Sequence, residues 1–370
     1  MKCRVCREPA VIEVRRHNAG FCQPCFLKHC RDQVTRAIDD FEMMSPTDRV
    51  LVAVSGGKDS LALWDILLAL GYQVDGLYLG LGIGEYSGTS GTFARDFAAG
   101  RGLKLIEVDI PSEFGFDIPT GARAAKRAPC SACGLSKRHL FNQAAVDHGY
   151  DVVATGHNLD DEAAVLFGNV LRWETGYLGR QAPVLPGTHG FVRKVKPLVR
   201  MGEREMAAYC VLSGIDYMVE ECPMAVGNKH LGYKDALNQI EVQSPGTKAA
   251  FYFSFLDRVA PLFTGIAEEE REGLQPCSGC GSPTTGEWCA FCKLVAKAAP
   301  GAAGPSAGAD AGAGAVGGAV ASAELGSGGV ASGAGGGAVA SAGAGASAGA
   351  GADAGAVASA GSLDGPANSG

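Results

Sequence analysis

Between residues 50 and 200 the chain alternates short apolar runs with amphipathic stretches. The run at 50–54 (Val-Leu-Val-Ala-Val) has no polar side chain and ends at Ser55-Gly56-Gly57, which predicts a buried strand. Residues 61–70 then read as a helix. Further strands are predicted at 73–79, 103–108 and 151–155, and further helices at 92–101 and 134–148. Strand and helix in alternation predict an α/β fold, a doubly wound parallel sheet with right-handed crossovers. Ligands of such sheets bind at the carboxyl ends of the strands.

Composition divides the 370 residues in two. After Pro300 the chain is almost wholly Ala, Gly and Ser. Without large apolar side chains it cannot offset the entropy of ordering, so 300–370 is expected to be a disordered tail. The tail's only charges are Asp310, Glu324, Asp353 and Asp364, which carry four of the seven net negative charges and leave three on residues 1–299. A nucleic-acid partner would therefore need a local basic surface. Candidates are Arg123, Lys126, Arg127, Lys137 and Arg138, and then Arg193, Lys194, Lys196 and Arg200. No secretory signal precedes Cys3, and no apolar stretch reaches the roughly 20 residues of a membrane helix. The expectation is a cytoplasmic protein with reduced thiols and no membrane partner.

Eleven of the thirteen cysteines form three groups. Cys3, Cys6, Cys22 and Cys25 make two C-x-x-C pairs at the start, with His29 and Cys30 as nearby rivals for a fourth ligand. Cys277, Cys280, Cys289 and Cys292 make two more near the end. Each set suits a structural tetrahedral Zn2+, closed by four protein ligands and so without catalysis. The third group is Cys130-x-x-Cys133 with Cys222 as its plausible partner. Three thiolates suit a [4Fe–4S] cluster with one open iron, or a redox pair with a lone thiol. Ordinary buried cysteines are the plainer alternative, and the one expected of Cys30 and Cys210.

The run Ser55-Gly56-Gly57-Lys58-Asp59-Ser60 joins a strand to a helix. Its glycines let backbone N–H groups approach a phosphate, the helix N-terminus adds its dipole, Lys58 and Ser60 offer donors, and Asp59 offers a Mg2+ ligand. It is not a Walker A loop, because position 52 is Val and Asp follows Lys58. Thr155-Gly156-His157-Asn158-Leu159-Asp160-Asp161-Glu162 ends the last predicted strand on the same sheet edge. Its carboxylates suit either Mg2+ or the cap of a helix N-terminus.

SGGKDS and TGHNLDDEA together resemble the hallmarks of the PP-loop ATP pyrophosphatase superfamily, whose sheet is Rossmann-like. The flanking cysteine modules, the CSACGLSKR run around Cys130 and the Glu-Cys-Pro around Cys222 narrow the resemblance. Over residues 1–295 the chain is similar to tRNA 2-thiolation enzymes of the TtcA/TtuA class, nearest to those acting on the T-loop 5-methyluridine at tRNA position 54. The resemblance implies an N-terminal zinc finger at 1–40, the ATP pyrophosphatase domain at 41–270, a zinc ribbon at 271–299 and the tail. It implies that Ala53, Ser55, Gly56, Gly57, Lys58, Asp59 and Ser60 hold ATP, with Leu79 and Gly156 bracketing the adenosine. Asp59, Lys137 and Asp161 would stand at the reacting centre, and Cys130, Cys133 and Cys222 would ligate the cluster. The implied partners are tRNA, a ubiquitin-like sulfur carrier ending in a thiocarboxylate, and a second copy of the chain in a homodimer. A persulfide route without iron, another uridine or cytidine as target, and a non-RNA amidotransferase stand as alternatives.

Overall fold

The computed structural model describes residues 1–263 and 273–299, and the tail expected at 300–370 lies outside them. The chain opens with a hairpin, β1 (Ile12–Val14) and β2 (Ala19–Phe21), followed by α1 (Gln23–Asp40). Then come β3 (Arg49–Val54), α2 (Lys58–Ala69), β4 (Gln73–Gly80), α3 (Gly84–Ala99) and β5 (Leu105–Asp109). Two short helices, α4 (Ile110–Phe114) and α5 (Ile118–Ala124), lead into α6 (Pro129–Asp147), β6 (Val152–Thr155) and α7 (Leu159–Arg172). After α8 (Thr175–Leu178), β7 (Val184–Leu185) and β8 (Arg193–Val195), three helices follow: α9 (Glu203–Ser213), α10 (Lys229–Gln243) and α11 (Thr247–Arg258). The last element is a helix at Ala290–Ala298.

Six strands form one sheet in the order β5-β4-β3-β6-β8-β7, parallel except for β7 at the edge. The order runs outward from β3 through β4 to β5 and then returns to β6 on the other side of β3. The loops after β3 and β6 therefore diverge from a switch point, where a parallel sheet opens a crevice. The sheet's two faces carry separate cores. Val50, Val52 and Val54 of β3 face the core that includes Phe26, Trp64 and Tyr209, whereas Leu51 faces the one that includes Ile118, Leu140 and Phe291. That alternation is the two-residue period of a strand buried on both sides.

The predicted strands all form. All three predicted helices begin earlier than expected: α2 at Lys58 rather than 61, α3 at Gly84 rather than 92, and α6 at Pro129 rather than 134. Proline suits the first helical position, because its missing N–H has no partner there in any case. No described helix is long and apolar enough to cross a membrane.

Candidate active site

The loop after β3 is shaped by Gly56, whose φ is +75°. A Cβ at that position would stand 2.1 Å from the Ser90 carbonyl of α3. Its carbonyl accepts from the N–H of Met218 at 2.9 Å, tying the loop to the segment after α9. Ser60 closes the turn: its hydroxyl accepts from the Ser55 N–H at 3.1 Å and donates to the Gly57 carbonyl at 3.0 Å. Gly156, after β6, lies against this turn so tightly that a Cβ would meet the Ser60 nitrogen at 2.9 Å. Between the two loops lies a cavity of about 240 Å³. Ala53, Ser55, Asp59, Ser60, Leu79, Lys137 and Gly156 all line it, so seven residues that the resemblance singles out meet at one place. Tyr78, Tyr86, Phe141 and His157 are also on the wall.

Gly56, Gly57, Lys58 and Asp161 are not on the wall of this cavity. The Lys58 ammonium lies 2.8 Å from Glu203 and 3.2 Å from Asp59. Burial lowers its pKa, but Asp59 and Glu203 outweigh that effect and raise it. Asp59 also accepts from the Asn158 side chain at 3.0 Å. Burial pushes its carboxyl pKa up and Asp161 adds to the rise, against the pull of Lys58. Asn158 and Asp161 form a capping box at the start of α7. The other Asp161 oxygen lies 2.6 Å from Lys234 of α10, which also lies 3.2 Å from Glu203. Asp160 instead enters a buried ion pair with Lys248 and accepts from the Glu203 N–H at 2.9 Å, so of the two aspartates only Asp161 pairs with Lys234.

α6 joins the cavity to the third cysteine group. Cys130 falls in its first turn, Cys133 at the start of the second and Lys137 one turn beyond Cys133, with Lys137 on the cavity wall. Cys222 arrives on the segment before α10, and the Cys130 thiol donates to the Met224 carbonyl there at 3.4 Å. Burial raises the Cys130 thiol pKa, Cys133 and Cys222 add to it, and Lys137 opposes. Tyr86, on the cavity wall, is raised by burial and by the same Cys222 and Cys133. The three sulfurs are not drawn into a set within 4.8 Å, as the two four-cysteine groups are. A four-iron cubane takes each thiolate on a different iron, so its ligands stand farther apart than those around one ion. Three cysteines that the fold brings near Met224 and Lys137 offer the thiolate donors that such a cluster takes.

The four-cysteine groups have the opposite geometry. A metal–sulfur bond of about 2.3 Å sets the edge of a tetrahedron near 3.8 Å. Cys6 and Cys22 stand 3.4 Å apart, Cys280 and Cys289 3.7 Å, and Cys277 and Cys292 3.8 Å. In the second group burial pushes the Cys277 thiol up, but the N–H groups of Cys289, Gly279 and Cys280 bring it down to about 6. In the first, the N–H of Cys6 is the main cause that brings Cys3 to about 6. Each group could hold one tetrahedral ion. His29 stacks on Phe21 at 4.8 Å and Cys30 is buried in the core, so neither rival joins the first group.

Most of the second basic run is paired. Lys196 lies 2.7 Å from Glu162, Arg200 pairs with Asp40, and Arg193 lies 4.0 Å from Asp48. The first run differs: Arg123, Lys126 and Arg127 are exposed just ahead of Cys130, where the two guanidinium groups meet the hydroxyls of Thr120 and Ser131. Glu203, Lys234, Asn158 and Tyr86 were not legible as site residues. Glu203 and Lys234 sit on distant helices without a motif, whereas Asn158 lay inside a recognised run.

Residues 2–27 match the family model described as the 2-thiouridine synthetase TtuA N-terminal LIM domain. The chain is 50% identical over 294 residues to the tRNA-5-methyluridine(54) 2-sulfurtransferase of Thermus thermophilus, covering 80% of this chain and 91% of the relative. The protein of the same name from Pyrococcus horikoshii is 40% identical, covering 80% and 93%. The cytoplasmic tRNA 2-thiolation protein 1 of Caenorhabditis elegans is 29% identical, covering 78% of each. Among solved structures, the U34-tRNA thiolase NcsA from Methanococcus maripaludis with its [4Fe–4S] cluster has the same fold. It aligns with a TM-score of 0.64 at 24% identity, over 70% of this chain and 89% of its own.

Proposed function

The chain belongs to the tRNA-5-methyluridine(54) 2-sulfurtransferase family, and from that premise we propose that it uses ATP to replace the C2 oxygen of that nucleoside in tRNA with sulfur. The observation that carries the reading is the shared wall. One helix, α6, presents Lys137 to a cavity between the two loops and Cys130 and Cys133 just beside it.

ATP would lie with its phosphates toward Ser55–Ser60, where the N-terminus of α2 and the loop amides meet negative charge, and its adenosine between Leu79 and Gly156. Asp59 would hold Mg2+ on those phosphates, which relieves the cost of a buried carboxylate. The C2 oxygen of the splayed-out base attacks the α-phosphorus, forming the O–P bond as pyrophosphate leaves and N3 loses its proton. Hydrosulfide then adds to C2, AMP departs with the original oxygen, and N3 regains a proton from the hydrosulfide. AMP is a far better leaving group than oxide, which is why the first step is needed. Lys137, between cavity and cysteines, offsets charge on the departing AMP. A [4Fe–4S] cluster, held by Cys130, Cys133 and Cys222, would supply an iron without a protein ligand, able to carry the sulfur. Zn2+ in the two four-cysteine groups would be structural. The sulfur would come from a ubiquitin-like carrier with a C-terminal thiocarboxylate. Arg123, Lys126 and Arg127 would meet the tRNA backbone.

Cys222→Ser tests the reading. Iron should be lost from anaerobically prepared protein while both zinc ions stay. Pyrophosphate release with tRNA should persist, and 2-thio-5-methyluridine should vanish from the tRNA of cells carrying the variant. Undiminished 2-thiouridine in that strain would defeat the proposal, and iron-free wild-type protein with full activity would favour a persulfide route.

A further inference from the structure

Lys58 is the only ammonium of the phosphate loop, yet it is held away from the 240 Å³ cavity. It lines a neighbouring cavity of about 580 Å³ together with Glu203. To meet a phosphate it must leave Glu203, whose other carboxylate oxygen is taken by Lys234. Lys234 is itself tethered to Asp161 at 2.6 Å, and Asp161 is fixed by its cap on Asn158. Lys234 therefore stays in place whichever way Lys58 turns. Were Lys58 the sole partner of Glu203, its departure would strand a half-buried carboxylate, and the loop lysine would remain anchored. Three carboxylates (Asp59, Asp161, Glu203) and two ammoniums (Lys58, Lys234) make up this cluster, where the starts of α2, α7 and α9 meet α10.

We propose that Lys234 is a positioning residue for ATP binding: by keeping Glu203 paired, it frees Lys58 to exchange that carboxylate for phosphate. The proposal rests on the reading of Ser55–Ser60 as an ATP loop and adds to it a residue of α10 that would not touch the nucleotide.

The test is calorimetric titration of the full-length, metal-loaded protein with Mg2+ and a non-hydrolysable ATP analogue, without tRNA. Lys234→Met should weaken binding about tenfold, the effect of one charge-assisted hydrogen bond. Glu203→Gln, with Lys58 unanchored, should bind at least as tightly as wild type. The double variant Glu203→Gln/Lys234→Met should return to within about threefold of wild type. A purely structural role for Lys234 predicts additive losses instead, and additivity would overturn the proposal. A general field effect is excluded by a second pair. Lys234→Met/Asp161→Asn removes the same charges but leaves Glu203 holding Lys58, so it should stay weak, and equal recovery there would overturn the exchange. If Lys234→Met does not fold, Glu203→Gln alone decides, because a tenfold loss in that variant contradicts an anchoring role. Wild-type protein that binds no analogue would refute the ATP loop itself, whereas normal wild-type binding with any contrary variant pattern refutes only this inference.

Discussion

Gly56 and Gly57 look interchangeable in the sequence, and the structure separates them. Gly57 has a φ of −87° that any residue adopts, and a Cβ there would only touch the Ser55 hydroxyl at 3.5 Å. Gly56 has a left-handed backbone and faces the fixed carbonyl of Ser90. Gly56→Ala should therefore cost at least about 2 kcal/mol in stability, from the left-handed strain and the displaced backbone together. Gly57→Ala should stay within about 1 kcal/mol of wild type. Equal midpoints of the two variants in denaturant titration would contradict the turn described. The turn at Ser55–Ser60 was legible because a strand, two glycines and a helix sit side by side in the chain. Its partners were not, because Glu203 lies 145 residues from Lys58 and only folding brings α9 to the loop. The same distance hid Lys234.

At the scale of elements, strands buried on both faces announce themselves as apolar runs, and all four on which the reading relied are present. β7 and β8 escaped notice because two and three residues give no pattern to read. The first two turns of α3 were missed because Gly84 and Gly88 read as loop. Those turns are held by side chains instead: the Ser87 hydroxyl accepts from Ile83 at 2.9 Å, and Tyr78 bonds the hydroxyl of Ser90 at 2.9 Å. α6 shows the functional consequence of an earlier start, since both cysteines thereby become helical and gain a fixed relation to Lys137. The helix is in turn clamped by the C-terminal module. Phe291 stacks on His139 of α6 at 4.3 Å and meets Phe114 edge-on at 5.1 Å, and is 1% exposed. Phe291→Ala should remove about 3–5 kcal/mol from this contact. Hydrogen exchange should rise in 275–298 and in the first half of α6 while β3 and α2 stay protected. Unchanged exchange across α6 would show that the helix holds its place without the module.

Over the whole molecule, the two cysteine modules are walls of the enzyme rather than attachments to it. Val14, Phe21 and Phe26 belong to the core on one face of the sheet, and Cys277, Phe291 and Leu294 to the core on the other. The first module also reaches the active site by one ion pair. Arg16, just after β1, lies 2.6 Å from Glu205, with both side chains only 10% exposed, and Glu205 sits two residues from Glu203 at the start of α9. The second module reaches the site through α6, on the cysteine side. With zinc in each four-cysteine group, as proposed, the two sites should therefore fail differently. Cys22→Ser should release one zinc, let the hairpin and Arg16 loosen, and weaken ATP binding several-fold through α9. Cys289→Ser should release the other zinc, leave ATP binding within about twofold, and instead raise the reactivity of Cys130 and Cys133 toward an alkylating probe in iron-free protein, because α6 loses its clamp. Zinc counts, ATP titration and alkylation rates on the two variants check the division. The reverse pattern, with ATP affinity following Cys289 and thiol exposure following Cys22, would mean that the couplings traced through Arg16 and Phe291 do not govern the site.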